Sequence, residues 1–253
     1  MRTFGTHHLM LIYLTWKMRL VPQKPRKVLI WSGGVDPSYY ATIQSLIQPL
    51  VGKVERGQDL TPHLSSLVNT LGFAMPEVSI EKRRYEKDGV LTKMGLHHFH
   101  FGAMTSTNPR GRSSRLVFAD VTDQEFKIIA ISDHDAFKIG SAEWSRLFEI
   151  SNRYIQSQLP LDTAYLAFPT MSSGHPMELV IYANSCDDII TRLDPRLEDT
   201  VFIDQIFNEN DAIDSQDLKR PAKPIFKWHF ENLDFGVLET KTRVFFRMLF
   251  SPC

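Results

Sequence analysis

The sequence predicts an α+β fold in which N-terminal helices precede a central antiparallel sheet, a packing helix and a C-terminal extension of helix and strands. Three strand-like runs, at residues 97–101, 115–121 and 126–133, are joined by short polar connections. Strands that follow each other this closely pair as antiparallel neighbours. Apolar residues at helical spacing over 141–158 predict the helix that packs on this sheet.

The chain is expected to contain three segments. Residues 1–27 form a peripheral N-terminal segment, 28–160 an α+β core, and 161–253 a C-terminal extension whose strands either complete the same sheet or stand apart. The apolar run 9–16 is shorter than the roughly 20 residues that cross a bilayer. Basic residues follow that run where a signal peptide would carry small ones, so no membrane association is expected.

Periodicity and helix-breaking residues predict shorter elements around this core. Ser32–Asp36 contains the letters of a pyrophosphate-binding loop, but Pro37 follows it and no parallel sheet is otherwise supported, so a turn is favoured. The elements themselves are strands at 28–31, 177–182 and 244–250, and helices at 38–51, 59–72 and 195–208.

Charge is balanced overall but uneven along the chain. The 29 basic and 29 acidic side chains cancel, which excludes a chain-wide field for nucleic acid or membranes. Eight basic residues face three acidic ones over 80–115, whereas ten acidic residues face two arginines over 186–218. Two cysteines are too few for a disulfide framework or a thiolate zinc site, so a reducing cytoplasmic location is expected.

Three histidines in four positions occupy the first strand-like run, at His97, His98 and His100. Because side chains alternate across a strand, His98 and His100 project from one face, and His97 projects from the other face with Phe99. Two imidazoles about 7 Å apart on one face can act as a general acid and a general base at a phosphate. We therefore predict His98 and His100 as catalytic residues.

A fourth histidine follows the third strand-like run. His134 stands between Asp133 and Asp135, and a carboxylate beside an imidazole can orient its tautomer and raise its pKa. His134 is therefore a third candidate catalytic residue, and the two flanking aspartates are candidate orienting residues.

The loop before the middle strand has a composition typical of phosphate binding. Residues 105–115 offer several hydroxyl groups and the guanidinium groups of Arg110, Arg112 and Arg115. A guanidinium donates two parallel hydrogen bonds to phosphate oxygens. These three arginines are therefore the candidate phosphate-binding residues.

The order of these elements resembles the core of RelE/ParE-type toxins and related small ribonucleases. The resemblance covers residues 95–140 and rests on four elements in order. They are a histidine-bearing strand, an arginine-containing loop, the apolar strand Arg115–Ala119, and a further strand that ends in polar residues near a helix. The resemblance implies a ribonuclease of toxin or defence type that cuts the RNA backbone without metal or cofactor. Such enzymes activate the ribose 2′-hydroxyl with side chains.

By that resemblance His98 and His100 are acid/base candidates, Arg112 and Arg115 hold phosphate, and His134 assists. The chain departs from the small toxins in its length, its zero net charge and its acidic C-terminal part. An inhibitory protein partner is a further expectation, and the acidic part could also block the basic surface within the same chain.

Other interpretations remain open. A noncatalytic module could bind nucleic acid through loop 105–115 and a partner through the acidic segment 186–218. A purely structural module would use the histidines for packing. A zinc or manganese site is a further alternative, because imidazole and carboxylate groups suit those ions; its ligands would be His98, His100 and His134 with Asp133 or Asp135.

Overall fold

The chain folds into two compact units. One contains Met1–Leu14 and Glu178–Cys253, and the other contains Thr15–Met177. The residues expected to be peripheral are thus shared between the two units, and Leu11 and Leu14 among them are buried. The computed structural model describes residues 5–66, 68, 88–102, 113–163, 169–209 and 220–251.

The elements confirm the predicted α+β class. The helices are α1 (Thr6–Met18), α2 (Pro37–Glu55), α3 (Gly89–Met94), α4 (Ala142–Gln158), α5 (Met177–Leu193) and α6 (Thr200–Glu209). The strands are β1 (Lys27–Ile30), β2 (His97–His100), β3 (Arg115–Val121), β4 (Glu125–Asp133), β5 (Phe226–Glu231), β6 (Asp234–Glu239) and β7 (Phe245–Leu249). Short 3₁₀ helices lie at Thr61–His63, His134–Phe137 and Asp194–Glu198. None of the helices in the described ranges has the length and apolar character needed to cross a membrane.

The larger unit is built on a four-stranded sheet with the order β1-β4-β3-β2. Strands β2, β3 and β4 form the predicted antiparallel meander. Strand β1 adds to the edge of β4 in a parallel direction, so the sheet is mixed and not purely antiparallel. The sequence signal for this pairing is weak because nearly a hundred residues separate the two strands, and their described part includes α2, α3, β2 and β3.

Both faces of this sheet are covered. On one face Ile47 of α2 packs in a core cluster with Phe99 and Val117. On the other face Leu147 of α4 packs in a separate cluster with Phe118. Burial on both faces removes several large aromatic and aliphatic side chains from water, which is the main stabilising contribution in a domain of this kind.

The helix ends follow local sequence signals. The Asp36 carboxylate accepts the Tyr39 N–H at the start of α2, and the Ser141 hydroxyl accepts the Trp144 N–H at the start of α4. Helix α2 continues past Pro49 to Glu55, beyond the predicted end. Of the helix predicted at 59–72, the 3₁₀ turn Thr61–His63 is described, and 67 and 69–72 lie outside the described residues.

The smaller unit has its own sheet, with the antiparallel order β5-β6-β7. Phe202 and Ile206 of α6 pack with Val237 and Phe246 of this sheet in one core cluster. The C-terminal strands therefore form a separate sheet and do not complete the sheet of the larger unit. The apolar run predicted near the C-terminus is strand β7.

The strand predicted at 177–182 is wrong, because these residues begin helix α5. The buried side chains of this helix are Leu179, Tyr182, Ala183 and Cys186. Their spacing of three or four residues is that of a helix face. A window of six residues, five of them apolar, is too short to distinguish this period from a buried strand.

Candidate functional site

The candidate residues lie at one end of the four-stranded sheet. Strand β2 ends at His100, the antiparallel β3 begins at Arg115, and β4 ends at Asp133. In the register of the sheet, His100 lies opposite Leu116, which lies opposite Ser132. The ends of three strands therefore bring together residues that are far apart in the sequence.

His98 and His100 project from the same face of β2, as the alternation of side chains predicts. Their ring centroids are 6.4 Å apart and the rings are nearly perpendicular. The His98 ring also contacts Phe137 edge to face, with a centroid separation of 4.7 Å, and it lies near Phe118. His98 is 8% exposed and His100 is 6% exposed, so both residues are largely buried.

His134 extends this pair to the surface. Its ring centroid is 5.3 Å from that of His100, and the residue is exposed. The His134 Nδ1 donates a hydrogen bond of 3.2 Å to the Ser114 carbonyl. In the neutral ring this bond leaves Nε2 as the proton acceptor. We call His98, His100 and His134 the histidine row.

A buried carboxylate lies at the inner end of the histidine row. Asp88 Oδ2 is 2.7 Å from His98 Nδ1, although the ring N–H does not point straight at the oxygen. The contact is electrostatic, because attraction between the carboxylate and the ring N–H over this distance in a buried site does not require ideal hydrogen-bond angles. Asp88 Oδ1 accepts the backbone N–H groups of Val90 and Leu91 at 3.0 Å, and thereby caps α3.

These contacts determine the ionisation of Asp88. Burial alone would raise the pKa of this carboxyl, but the adjacent His98, the α3 backbone N–H groups and the charge of Arg19 outweigh burial and lower the pKa to about 2. The carboxylate is therefore ionised at neutral pH.

Sequence reasoning missed Asp88. The sequence does carry a signal for part of its role, because an aspartate before Gly89 and an apolar run is typical of a helix N-cap. Nothing in the local sequence indicates that this cap lies against His98 of the next strand. That contact depends on how α3 packs on the sheet.

The predicted orienting aspartates contact other groups. Asp133 accepts the backbone N–H of Asp135 at 2.8 Å and caps the 3₁₀ helix. Asp135 forms an ion pair of 2.6 Å with Lys138. In the described part of the chain, the carboxylate that contacts a ring of the histidine row is therefore that of Asp88, at His98.

Of the predicted phosphate-binding arginines, Arg115 is described and lies on the opposite face of the sheet from His98 and His100. Residues alternate along β3, so that Leu116 opposes His100 while Arg115 opposes Asp133. The exposed Arg115 guanidinium lies over the Tyr39 ring at 5.2 Å and donates to the Tyr39 hydroxyl. Arg110 and Arg112 lie outside the described residues.

Two other histidines contact the backbone. His97 projects from the opposite face of β2 and donates from Nε2 to the Met18 carbonyl at 3.0 Å. His63 donates from Nδ1 to the His100 carbonyl at 2.9 Å, and burial lowers the pKa of His63. This second bond ties the end of β2 to the 3₁₀ helix at 61–63.

A polar network not foreseen from the sequence lies beside the histidine row. The Ser132 hydroxyl donates to Glu143 at 2.5 Å. Arg146 donates to Glu143 at 2.8 Å and to the Ile131 carbonyl at 2.9 Å. Ser132, Glu143 and Arg146 thus have their hydrogen-bond partners within this network, which indicates a structural role in holding α4 on β4.

The Ser32–Asp36 stretch forms a turn. A side chain at position 33 would place its Cβ 2.4 Å from the Trp31 ring, and one at position 34 would place it 2.2 Å from the Ile129 carbonyl. Packing against neighbouring groups thus requires both glycines. The turn lines an open crevice of about 410 Å³ together with Arg146, Glu149, Ile150 and Arg153 of α4.

Comparisons with protein-family models, with curated proteins and with solved structures find no match to this chain. The resemblance of residues 95–140 to RelE/ParE-type toxins stays a prediction from the sequence. The alternative of a metal site finds no support in the part of the chain that the structure describes, because no three His, Cys, Asp or Glu side chains there are arranged as ligands.

Proposed function

We propose that the chain is a metal-independent ribonuclease that cuts the RNA backbone with the histidine row. The observation that supports this proposal is the contact between an exposed imidazole, His134, and a second imidazole, His100, whose centroid is 5.3 Å away. Two imidazoles in contact can divide the two proton transfers that backbone cleavage requires.

In this proposal His134 is the general base and His100 the general acid. Neutral His134 Nε2 takes the proton of a ribose 2′-hydroxyl, and the 2′-oxygen attacks the adjacent phosphorus. The bond from phosphorus to the 5′-oxygen breaks, and His100 in its protonated form gives its proton to that oxygen. The products are a 2′,3′-cyclic phosphate and a 5′-hydroxyl, and a second proton exchange with water restores both rings.

Arg115 would contact a neighbouring phosphate and not the phosphate being cleaved. Its guanidinium lies against Tyr39 on the other face of the sheet, while its backbone follows Ser114, the residue that accepts the His134 hydrogen bond. An exposed arginine beside an aromatic ring is suited to a single-stranded nucleic acid, because the ring stacks on a base and the cation attracts phosphate.

The test is cleavage of a single-stranded RNA by the full chain in the presence of EDTA. The proposal expects products that end in a 2′,3′-cyclic phosphate. A matched oligonucleotide with 2′-deoxyribose at every position should remain intact. Cleavage of the deoxy oligonucleotide, or an RNA that stays intact under all conditions, would refute the proposal.

A noncatalytic nucleic-acid-binding module is the second candidate. It is favoured by the low exposure of His98 and His100, which is also expected of histidines that only pack. In that case the exposed Arg115 and the partly buried Tyr39 would bind RNA or DNA in a salt-sensitive way without cutting it. Binding that is insensitive to salt and to Arg115→Ala would exclude this candidate.

A further inference from the structure

We propose that Asp88 is a positioning residue that holds His98 in one tautomer and, through the His98 ring, fixes His100 at the end of β2. The inference rests on the proposed function, because it concerns the residue that supports the acid of that reaction. It also changes the role of His98 from a catalytic residue to a supporting one. The argument depends on the geometry of Asp88, on the enclosure of His98 and on the spacing of the rings.

The geometry of Asp88 fixes the position of its carboxylate. One carboxylate oxygen accepts the N–H groups of Val90 and Leu91 at 3.0 Å, and the other oxygen lies 2.7 Å from His98 Nδ1. The side chain of Asp88 is 7% exposed. An aspartate held by a helix end on one side cannot turn away from the imidazole on the other.

The tautomer of His98 follows from this contact. A lone pair on Nδ1 would repel a carboxylate oxygen at 2.7 Å, so Nδ1 carries the proton. The ring is held in place by its edge-to-face contact with Phe137 at 4.7 Å. His98 is therefore fixed in its tautomer by Asp88 and in its plane by an aromatic neighbour.

The fixed ring of His98 in turn restricts the position of the His100 ring. The two rings are nearly perpendicular at 6.4 Å, and His63 Nδ1 donates to the His100 carbonyl at 2.9 Å. His100 is thus supported through both its ring and its backbone. Buried partners that orient a functional histidine typically contribute about tenfold to a hundredfold in activity.

The experiment combines nuclear magnetic resonance with kinetics on the full chain. The ¹⁵N shifts of the His98 ring show which nitrogen carries the proton, and steady-state cleavage of RNA at several substrate concentrations gives kcat separately from KM. Asp88→Asn keeps the α3 cap but presents an amide N–H group to Nδ1. The matched control is Asp36→Asn, which changes the aspartate N-cap of α2.

The inference expects Asp88→Asn to move the His98 proton from Nδ1 to Nε2 and to lower kcat about tenfold to a hundredfold with little change in KM. Asp36→Asn should change neither quantity. If Asp88→Asn fails to fold, Asp88→Ser retains a cap without the carboxylate and replaces it. The extent of folding is checked by circular dichroism.

Two results would overturn the inference, and a third bears on the proposed function alone. An unchanged His98 tautomer in Asp88→Asn shows that the carboxylate does not hold the ring. A changed tautomer with unchanged kcat shows that the ring does not support the reaction. If the wild-type chain cuts no RNA, the proposed ribonuclease is refuted, and the ¹⁵N result still decides whether Asp88 holds His98.

Discussion

The two units bury polar groups in different ways. In the smaller unit, Glu239 is 0% exposed, and its carboxylate accepts the backbone N–H groups of Ile225, Lys241 and Thr242 and the Thr242 hydroxyl. In the larger unit, Asp88 lies against a histidine row that reaches the surface at His134. A carboxylate that accepts backbone N–H groups and a hydroxyl indicates a structural role, whereas a carboxylate next to a row of imidazoles is typical of a functional site.

The pKa values of Glu239 and Asp88 are lowered by different partners. Burial alone would raise the pKa of Glu239, but hydrogen bonds from the Ile225 N–H, from Thr242 and from the Lys241 N–H outweigh burial and lower it. Burial would also raise the pKa of Asp88, and there the strongest opposing influence is the neighbouring His98. Both carboxylates are stabilised in the ionised form, one by backbone donors and the other by an imidazole.

The largest expected effect concerns His134. We expect His134→Ala to lower the rate of RNA cleavage about a hundredfold to ten-thousandfold, because the variant lacks the general base. Since His134 is exposed, the free energy of unfolding should change by less than about 0.5 kcal/mol. Cleavage assays and urea unfolding check both statements. His229→Ala, at an exposed histidine of β5, is the control and should leave cleavage unchanged.

The opposite result is expected at Glu239. Glu239→Ala removes the acceptor of three backbone N–H groups, and we expect the free energy of unfolding to fall by about 2 to 4 kcal/mol. RNA cleavage under folding conditions should be retained. Glu239→Gln keeps one acceptor oxygen and should cost less. Loss of cleavage without loss of stability in Glu239→Ala would contradict the division between the two units.

Acid should weaken the larger unit through Asp88. Its pKa is lowered from 3.8 to about 2 on folding, so its stabilising contribution is complete above pH 3.8 and is lost as the pH falls through about 2. The shift corresponds to on the order of 2 kcal/mol. The difference in unfolding free energy between wild type and Asp88→Asn should therefore shrink over this pH range. A difference that stays constant down to pH 2 argues against stabilisation of the ionised Asp88 carboxylate by its buried contacts.

The smallest effect is expected at Arg115. Replacing this exposed arginine with alanine should weaken RNA binding and reduce the slope of log affinity against log salt by about 1, because one phosphate contact is lost. Filter binding at several salt concentrations measures the slope. Arg243→Ala is the control, since Arg243 is an exposed arginine in the smaller unit. Equal slopes for wild type and Arg115→Ala would remove Arg115 from the nucleic-acid contact.

Local patterns in the sequence predict the meander and the placement of His98 and His100 on one face. Alternation along β2 and the short connections between strands carry that information. The parallel strand β1 and the contact between Asp88 and His98 are not predictable in this way, because both depend on packing between distant segments. The helix at 177–193 is misassigned because its first two turns contain a short apolar run with the β-branched Val180 and Ile181.

Arg115 lies in a strand that the sequence predicts, yet its side chain is on the opposite face of the sheet from His98 and His100. The strand at 115–121 was predicted correctly, but the register puts Leu116, and not Arg115, opposite His100. A shift of one residue along a strand moves a side chain to the other face of the sheet. Sequence spacing alone does not determine this register.

His100→Gln tests the central claim, that the histidine row performs acid and base catalysis, most directly when cleavage and stability are measured on the same sample. We predict a loss of RNA cleavage of about a hundredfold or more, while the free energy of unfolding falls by no more than about 2 kcal/mol and the variant stays folded under assay conditions. Cleavage that remains at the wild-type rate in this folded variant would contradict the account and leave His100 as a packing residue.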